Sequence, residues 1–350
     1  MNRFAIGFDE RDRVRVHALW DEIFDAQQWS EGGLTERFES AWGAWNTLDA
    51  VAFSGWTGAC LAALEFCGVR GETVLCPSNT FMATPLAALH AGARVELVDC
   101  NREDLCMSFE AFEQAVARHR PKAAILVHIG GHIAFDVERI AALCRAEGIF
   151  LIEDCAHAHG AGWHGRRPGT WGDAGVWSFY ATKTISTGEG GMLVSPRPEL
   201  LEFARAFRNY GKPDHVVRGL NFRLNEFTAA LGLVQTERMP EIVAWKNAAA
   251  ASIAHPARLQ LPDGMVSGLY KYIVFAPIER STGKVYDTPC HRLLDASGSF
   301  PNSDWVASNH WCVPLYYRPA SDTQVSPDAA IDSSTNGNAA TVRRQLPDAL

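Results

Sequence analysis

The sequence predicts an α/β fold with a mostly parallel central sheet flanked by helices, followed by a smaller C-terminal α+β domain. Three observations carry this. Short apolar runs bounded by Gly, Pro and Asp recur at 51–53, 73–76, 94–98, 123–129, 150–152, 175–180 and 191–195. Each reads as a buried strand. Between most of them lie stretches with apolar residues at helical spacing, the alternation that builds a parallel sheet with helices on both faces. After about residue 240 the alternation stops, and one clear strand, 270–275, marks a second and smaller unit.

Each element follows from local pattern. Val14, Val16, Leu19, Trp20, Ile23 and Phe24 lie on one face of a helix over 12–28. A Gly-Gly break at 32–33 precedes a second helix, 34–45. After the strand at 51–53, Ser54-Gly-Trp-Thr-Gly58 is a turn opening a helix over 59–66. A small-residue turn at a helix start exposes backbone N–H groups and a positive dipole end, so it suits a phosphate; the plainer reading is an N-cap at Thr57. Helices follow at 83–91, at 108–119 with Ser108 as N-cap, at 136–147 with Asp136 as cap, and at 198–209. A long helix over 226–237 meets Pro240, which kinks or restarts it before 242–253. A short helix is read at 290–294. The expected divisions are 1–240, 241–318, and a polar, loosely ordered tail at 319–350.

Bulk properties exclude several classes. The 350 residues are 47% hydrophobic and 21% charged, ordinary values for a globular protein. A net charge of −8 argues against a nucleic-acid partner. The first residues contain no apolar core of a signal peptide, and no apolar run is long enough to span a bilayer. Nine scattered cysteines, several inside apolar runs, fit buried free thiols in a reducing cytosol, so a cytoplasmic location is expected.

The stretch that points to chemistry is 151–191. Its first strand ends on Glu153 and Asp154, and the next is followed by Lys183 among small and hydroxyl residues. A carboxylate at the C-terminal end of a buried parallel strand sits where open α/β sheets bind ligands. A desolvated lysine opposite a fixed carboxylate is the pair a pyridoxal phosphate enzyme needs: the amine anchors the cofactor and the carboxylate keeps the ring nitrogen protonated.

Three segments together resemble the DegT/DnrJ/EryC1/StrS group of sugar aminotransferases, which have the fold-type I pyridoxal phosphate architecture. They are Glu153-Asp-Cys-Ala-His-Ala-His-Gly160, Ser178-Phe-Tyr-Ala-Thr-Lys183 and Thr187-Gly-Glu-Gly-Gly191. The resemblance runs from about residue 25 to about 240. It implies pyridoxal 5'-phosphate as cofactor, with Lys183 and Asp154 catalytic. It implies that Thr57, Gly58 and Ser178 hold the phosphate, that Phe81 stacks on the ring, and that His157 replaces a glutamine bonded to the phenolic oxygen. Asn221 would reach the cofactor of a neighbouring subunit, making the protein a homodimer with shared sites. Arg223, the strand-end His128 and Tyr316 in a late Pro-Leu segment would lie near the substrate. That substrate would be a keto-sugar, nucleotide-linked, aminated from glutamate or glutamine. Trp56 departs from the pattern, standing where a glycine is usual.

Other readings compete. His157 and His159 alternate in an extended segment and would share a metal ion; the resemblance favours no metal, with His159 a structural neighbour. His132 has no role in the pattern and reads as a surface residue. A sugar dehydratase using the amine form of the cofactor would carry histidine in place of Lys183. A non-catalytic, cofactor-binding sensor is left room by Trp56 and by the atypical C-terminus.

Overall fold

The computed structural model describes residues 6–317. In chain order, α1 (Glu10–Ala26) and α2 (Gly33–Asn46) precede β1 (Ala50–Phe53), α3 (Trp56–Cys67), β2 (Thr73–Pro77), α4 (Ala83–His90) and β3 (Arg94–Val98). Then come α5 (Phe109–His119), β4 (Ala123–Val127), α6 (Val137–Glu147), β5 (Phe150–Asp154), β6 (Ala174–Ser178), β7 (Gly191–Val194) and α7 (Pro198–Phe207). α8 (Glu226–Ile253), β8 (Tyr272–Val274), α9 (Cys290–Leu293), α10 (Pro301–Asn309) and β9 (Trp311–Val313) complete the described chain. The expected tail at 319–350 lies outside the described residues.

Seven strands form one sheet in the order β1-β7-β6-β5-β4-β2-β3. β7 is antiparallel to both neighbours, and the other pairings are parallel. Both faces are covered, which is why the strands read as continuous apolar runs. On one face Leu75, Leu126, Leu151 and Trp177 pack with Phe38, Trp42, Ile140 and Leu233 of the surrounding helices. On the other, Val74, Ile125, Ile152 and Val176 pack with Ala59, Ala63 and Leu64 of α3 and Leu200 and Ala204 of α7. β8 and β9 form a separate antiparallel pair. β9 is a strand that periodicity did not reveal, and β8 is shorter than the run 270–275 because the Lys271 N–H donates to Gly130 and the Phe275 N–H to Ala257, outside the ladder with β9.

Two local expectations are corrected. α8 is one 28-residue helix with Pro240 inside it, so the restart at Pro240 does not occur. Proline removes one N–H from a ladder, but packing of α8 on α1 and α2 holds the helix on both sides. α3 starts at Trp56 with Gly55 as its N-cap, so Thr57 is the second helical residue and not the cap.

The start of α8 also holds α2. Gly32 caps α2 with no side chain. The Glu226 carboxylate, 2% exposed, takes over that work. It accepts the backbone N–H groups of Gly32 at 3.0 Å and Leu34 at 2.7 Å, and it also binds Thr35. An anion at a helix N-terminus satisfies both its orphan donors and its dipole. Replacing Glu226 by Ala strands these donors in a buried place. The expected loss is about 2–4 kcal/mol, read as a lower urea midpoint; an unchanged midpoint would remove Glu226 from this role.

Candidate active site

The C-terminal ends of β5, β6 and β2 meet the start of α3 in one crevice. Successive strand residues point to opposite faces, so Glu153 and Asp154 part company. Asp154 faces α3, as Ile152 does. Glu153 faces the other way and is completely buried. It accepts N–H groups from Gly169 at 2.9 Å and from Trp171 and Gly172 at 2.7 Å, and it pairs with His128 Nε2 at 2.8 Å. These bonds fix the long connection between β5 and β6.

Asp154 is held by neutral donors. The backbone N–H of Ala156 and the indole Nε1–H of Trp56 each donate to its Oδ1 at 3.0 Å, and Thr84 Oγ1 donates to Oδ2 at 3.2 Å. Burial raises its pKa; these bonds and the Lys183 charge pull it back only partly. Burial likewise lowers Lys183 from 10.5 to about 8, against the opposing pull of Asp154. The amine lies 4.9 Å from the Tyr270 ring centre. Tyr270 packs at 4.2 Å on His157, which stacks at 5.8 Å on Tyr286. Burial keeps His157 neutral at physiological pH.

Register places the other expected ligands. Ser178 pairs with Gly191, and Gly191 with Phe53 on its other side. A Cβ on Gly191 would come 2.7 Å from the Trp56 nitrogen, so only glycine lets the strand approach the start of α3 here. Ser178 therefore sits beside a helix N-terminus that has no side-chain cap. Gly58 has a different reason to be glycine: a Cβ there would meet the Phe222 ring at 2.7 Å.

A cavity of about 130 Å³ reaches Lys183. It brings Lys183 together with Tyr316 and adds Lys246, Lys271 and Tyr270; among the described residues no acid lines it. Lys246 is buried, donates to the Leu269 carbonyl at 3.1 Å, and is lowered by burial to about 8. A larger cavity of about 710 Å³ lies along α2, and both of its lining arginines, Arg205 and Arg208, pair with Glu39.

Several expectations fall elsewhere. His128 is fully buried, with Nε2 on Glu153 and Nδ1 accepting from the Ala134 N–H at 3.0 Å; no ring nitrogen is left for a substrate. His132 is also no surface residue: it is 3% exposed and bonds the Asp104 carbonyl at 2.9 Å. His159 packs among Trp42, Trp177 and Phe179, away from the partners of His157. Among the described residues the groups able to share an ion are Asp104, Cys106 and His132, and His128, Glu153 and Cys155; neither holds His157 or His159. Phe81 is 66% exposed. Asn221 is exposed, and Arg223 binds Asn209, so within one chain neither touches the Lys183 cavity. Tyr270, Tyr286, Lys246, Lys271 and Thr84 were not singled out from sequence. For Tyr270 and Lys271 the signal was the strand pattern around them, which gave no hint that they turn inward.

The depressed amine is testable directly. Acetylation of Lys183 by acetic anhydride, read by mass spectrometry against pH, is expected to be half-maximal near pH 8. Asp154→Asn removes the charge that favours the ammonium form, so the midpoint should fall further. A midpoint that rises in the variant would show that Asp154 does not act on the amine.

A model of the DegT/DnrJ/EryC1/StrS aminotransferase family matches residues 11–259. GDP-perosamine synthase of Escherichia coli O157:H7 is 34% identical over 225 residues, which cover 62% of this chain and 61% of that protein. The dTDP-3-amino-3,4,6-trideoxy-alpha-D-glucose transaminase of Micromonospora megalomicea subsp. nigra is 32% identical over 342 residues, 88% of this chain and 91% of that one. Among solved structures, the aminotransferase TlmJ of Streptoalloteichus hindustanus superposes with a TM-score of 0.81 at 28% identity, covering 92% of this chain and 95% of its own. S. venezuelae DesV gives 0.82 at 26% identity, covering 89% and 93%.

Proposed function

Because the chain belongs to the DegT/DnrJ/EryC1/StrS aminotransferase family, we propose that it is a pyridoxal phosphate-dependent aminotransferase. It moves an amino group from glutamate or glutamine to a keto-sugar, nucleotide-linked, in amino-sugar biosynthesis. The observation that carries this is the half-buried Lys183 amine, lowered by desolvation to about 8, within electrostatic reach of the buried acid Asp154.

The residues present fit the cofactor. Asp154 is a buried carboxylate whose hydrogen-bond donors are all neutral. Such an acid is stabilised by a cation, and a protonated ring nitrogen is one. The uncapped start of α3, with the N–H groups of Thr57 and Gly58 and the Ser178 hydroxyl close by, suits a phosphate dianion. Bound pyridoxal phosphate supplies an electron sink that lets an amino group leave one carbon skeleton and join another. Lys183 holds the cofactor at rest and then moves a proton at the substrate carbon, a task suited to an amine that titrates near neutrality. Asp154 holds the proton on the ring nitrogen. Tyr270 and Tyr286 pack on His157 and exclude water from that side of the crevice.

The lysine-rich cavity supports an anionic donor. Lys246 and Lys271 flank Lys183 with no acid among the described lining residues, so a carboxylate entering there meets positive charge. The names of the relatives support the sugar: they are a GDP-perosamine synthase and a dTDP-linked amino-sugar transaminase. A second copy of the chain fits the exposed apolar groups Phe81, Tyr180, Val216 and Leu220. It would bring Asn221 and Arg223 to a neighbouring site.

The test is covalent. Borohydride treatment with pyridoxal phosphate should fix the cofactor on Lys183, and Lys183→Ala should lose both the yellow colour and amino transfer from labelled glutamate to a panel of nucleotide keto-sugars. A protein that stays colourless sinks the reading. For the donor, Lys271→Met should raise the glutamate concentration for half-maximal cofactor amination about tenfold or more while leaving cofactor affinity unchanged. An unaltered glutamate dependence would take Lys271 out of donor recognition.

A further inference from the structure

Trp56 stands at the first position of α3, immediately before Thr57. Its indole reaches from the helix start to the end of β5, where Nε1–H donates to Asp154 Oδ1 at 3.0 Å. The side chain is only 8% exposed. A flat aromatic heterocycle giving a ring N–H to this carboxylate is the same contact proposed above for the cofactor. The other end of the indole is tethered where the phosphate would be held. The cavity that reaches Lys183 is lined neither by Asp154 nor by Ser178 or Thr57. The route from the start of α3 to Asp154 is taken by the indole instead.

We propose that Trp56 is the chain's own occupant of the ring seat, competing with pyridoxal phosphate for Asp154, and that the indole must swing out before the cofactor enters. This rests on the cofactor reading above. The pattern the chain resembles has glycine at this position, which offers no such competitor. Two features let the indole leave. It is held at its far end by a single hydrogen bond to a carboxylate that keeps two other donors, Ala156 and Thr84. Its anchor is the first residue of a helix whose N-cap, Gly55, makes no side-chain bond.

The experiment titrates pyridoxal phosphate into the full-length protein and into Trp56→Gly and Trp56→Phe, following cofactor absorbance, with a urea midpoint for each as a folding control. A hydrogen bond to a charged acceptor is worth roughly one to two factors of ten in a binding constant, so Trp56→Gly should bind the cofactor about 10- to 100-fold more tightly. Trp56→Phe keeps the bulk and loses the N–H, and should fall between. It also keeps the test open if the glycine variant folds poorly. In protein labelled with 5-fluorotryptophan, the ¹⁹F resonance that Trp56→Phe removes should move on cofactor addition. Variants that bind no more tightly than the natural protein, or a Trp56 resonance that stays in place as the cofactor binds, overturn the competition and leave Trp56 as a support for Asp154. If neither the natural chain nor the glycine variant fixes cofactor on Lys183, the cofactor reading falls and the competition with it. If both bind equally, only the competition falls.

Discussion

The site depends on how β5 ends. Glu153 and Asp154 are neighbours in sequence, but the strand's period of two sends them to opposite faces. Glu153 is spent on structure: three backbone N–H groups and the His128 ring converge on it. A buried carboxylate so fully bonded is stable only while every partner stays in place. It therefore ties the connection after β5 into one course, which delivers β6 in register with β5 and carries Ser178 up to Gly191. Asp154 is left on the ligand side with neutral donors alone. The sheet builds one acid as scaffold and the next as a charge waiting for a partner.

That charge and Lys183 must be considered together. Lys183 has a folded pKa below its ordinary value, because burial disfavours the ammonium form more than Asp154 favours it. The fold thus loses stability from this group as pH falls from about 10.5 to about 8, and below that the penalty is constant. Asp154 has its pKa raised by burial, so its cost grows as pH rises past its ordinary value. Both groups are less happy charged in the fold than in water, and each is the other's partial relief. Lys271 adds to the pressure on Lys183. An enzyme that needs a free amine near neutral pH gains from this arrangement, which keeps the lysine near its titration point instead of locking it in a tight ion pair.

The sheet was legible because its strands are buried on both faces, and uniform burial leaves continuous apolar runs between turn residues. Lys183, Asp154 and Ser178 were legible as strand-end residues and as parts of a recognisable pattern. His128 carries the same strand-end signal, but whether a histidine faces the crevice or a buried glutamate depends on strand parity relative to a partner strand. That relation is tertiary. Tyr270, Lys246 and Lys271, which reach Lys183, and Tyr286, which reaches His157, come from beyond residue 240 and are brought there by packing of the last third of the chain against the sheet, a long-range fact with no local period. Pro240 misled for the opposite reason: a local rule about helices was overridden by packing along α8.

Trp56 is where local sequence and site geometry pull hardest against each other. The crevice has two unmet poles. The uncapped N-terminus of α3 favours an anion, and Asp154 favours a cation. The indole, being neutral, supplies Asp154 with a hydrogen bond but no charge, and it offers the helix N-terminus nothing. A ligand with phosphate at one end and a protonated ring nitrogen at the other satisfies both poles at once. Small side chains along α3, Gly58, Ala59, Cys60, Ala62 and Ala63, let the helix lie close to the sheet, so the indole fills space beside Asp154 without displacing the core. The physics therefore orders the two occupants: the indole holds the seat when nothing else is present, and a doubly charged ligand holds it better when supplied in sufficient concentration.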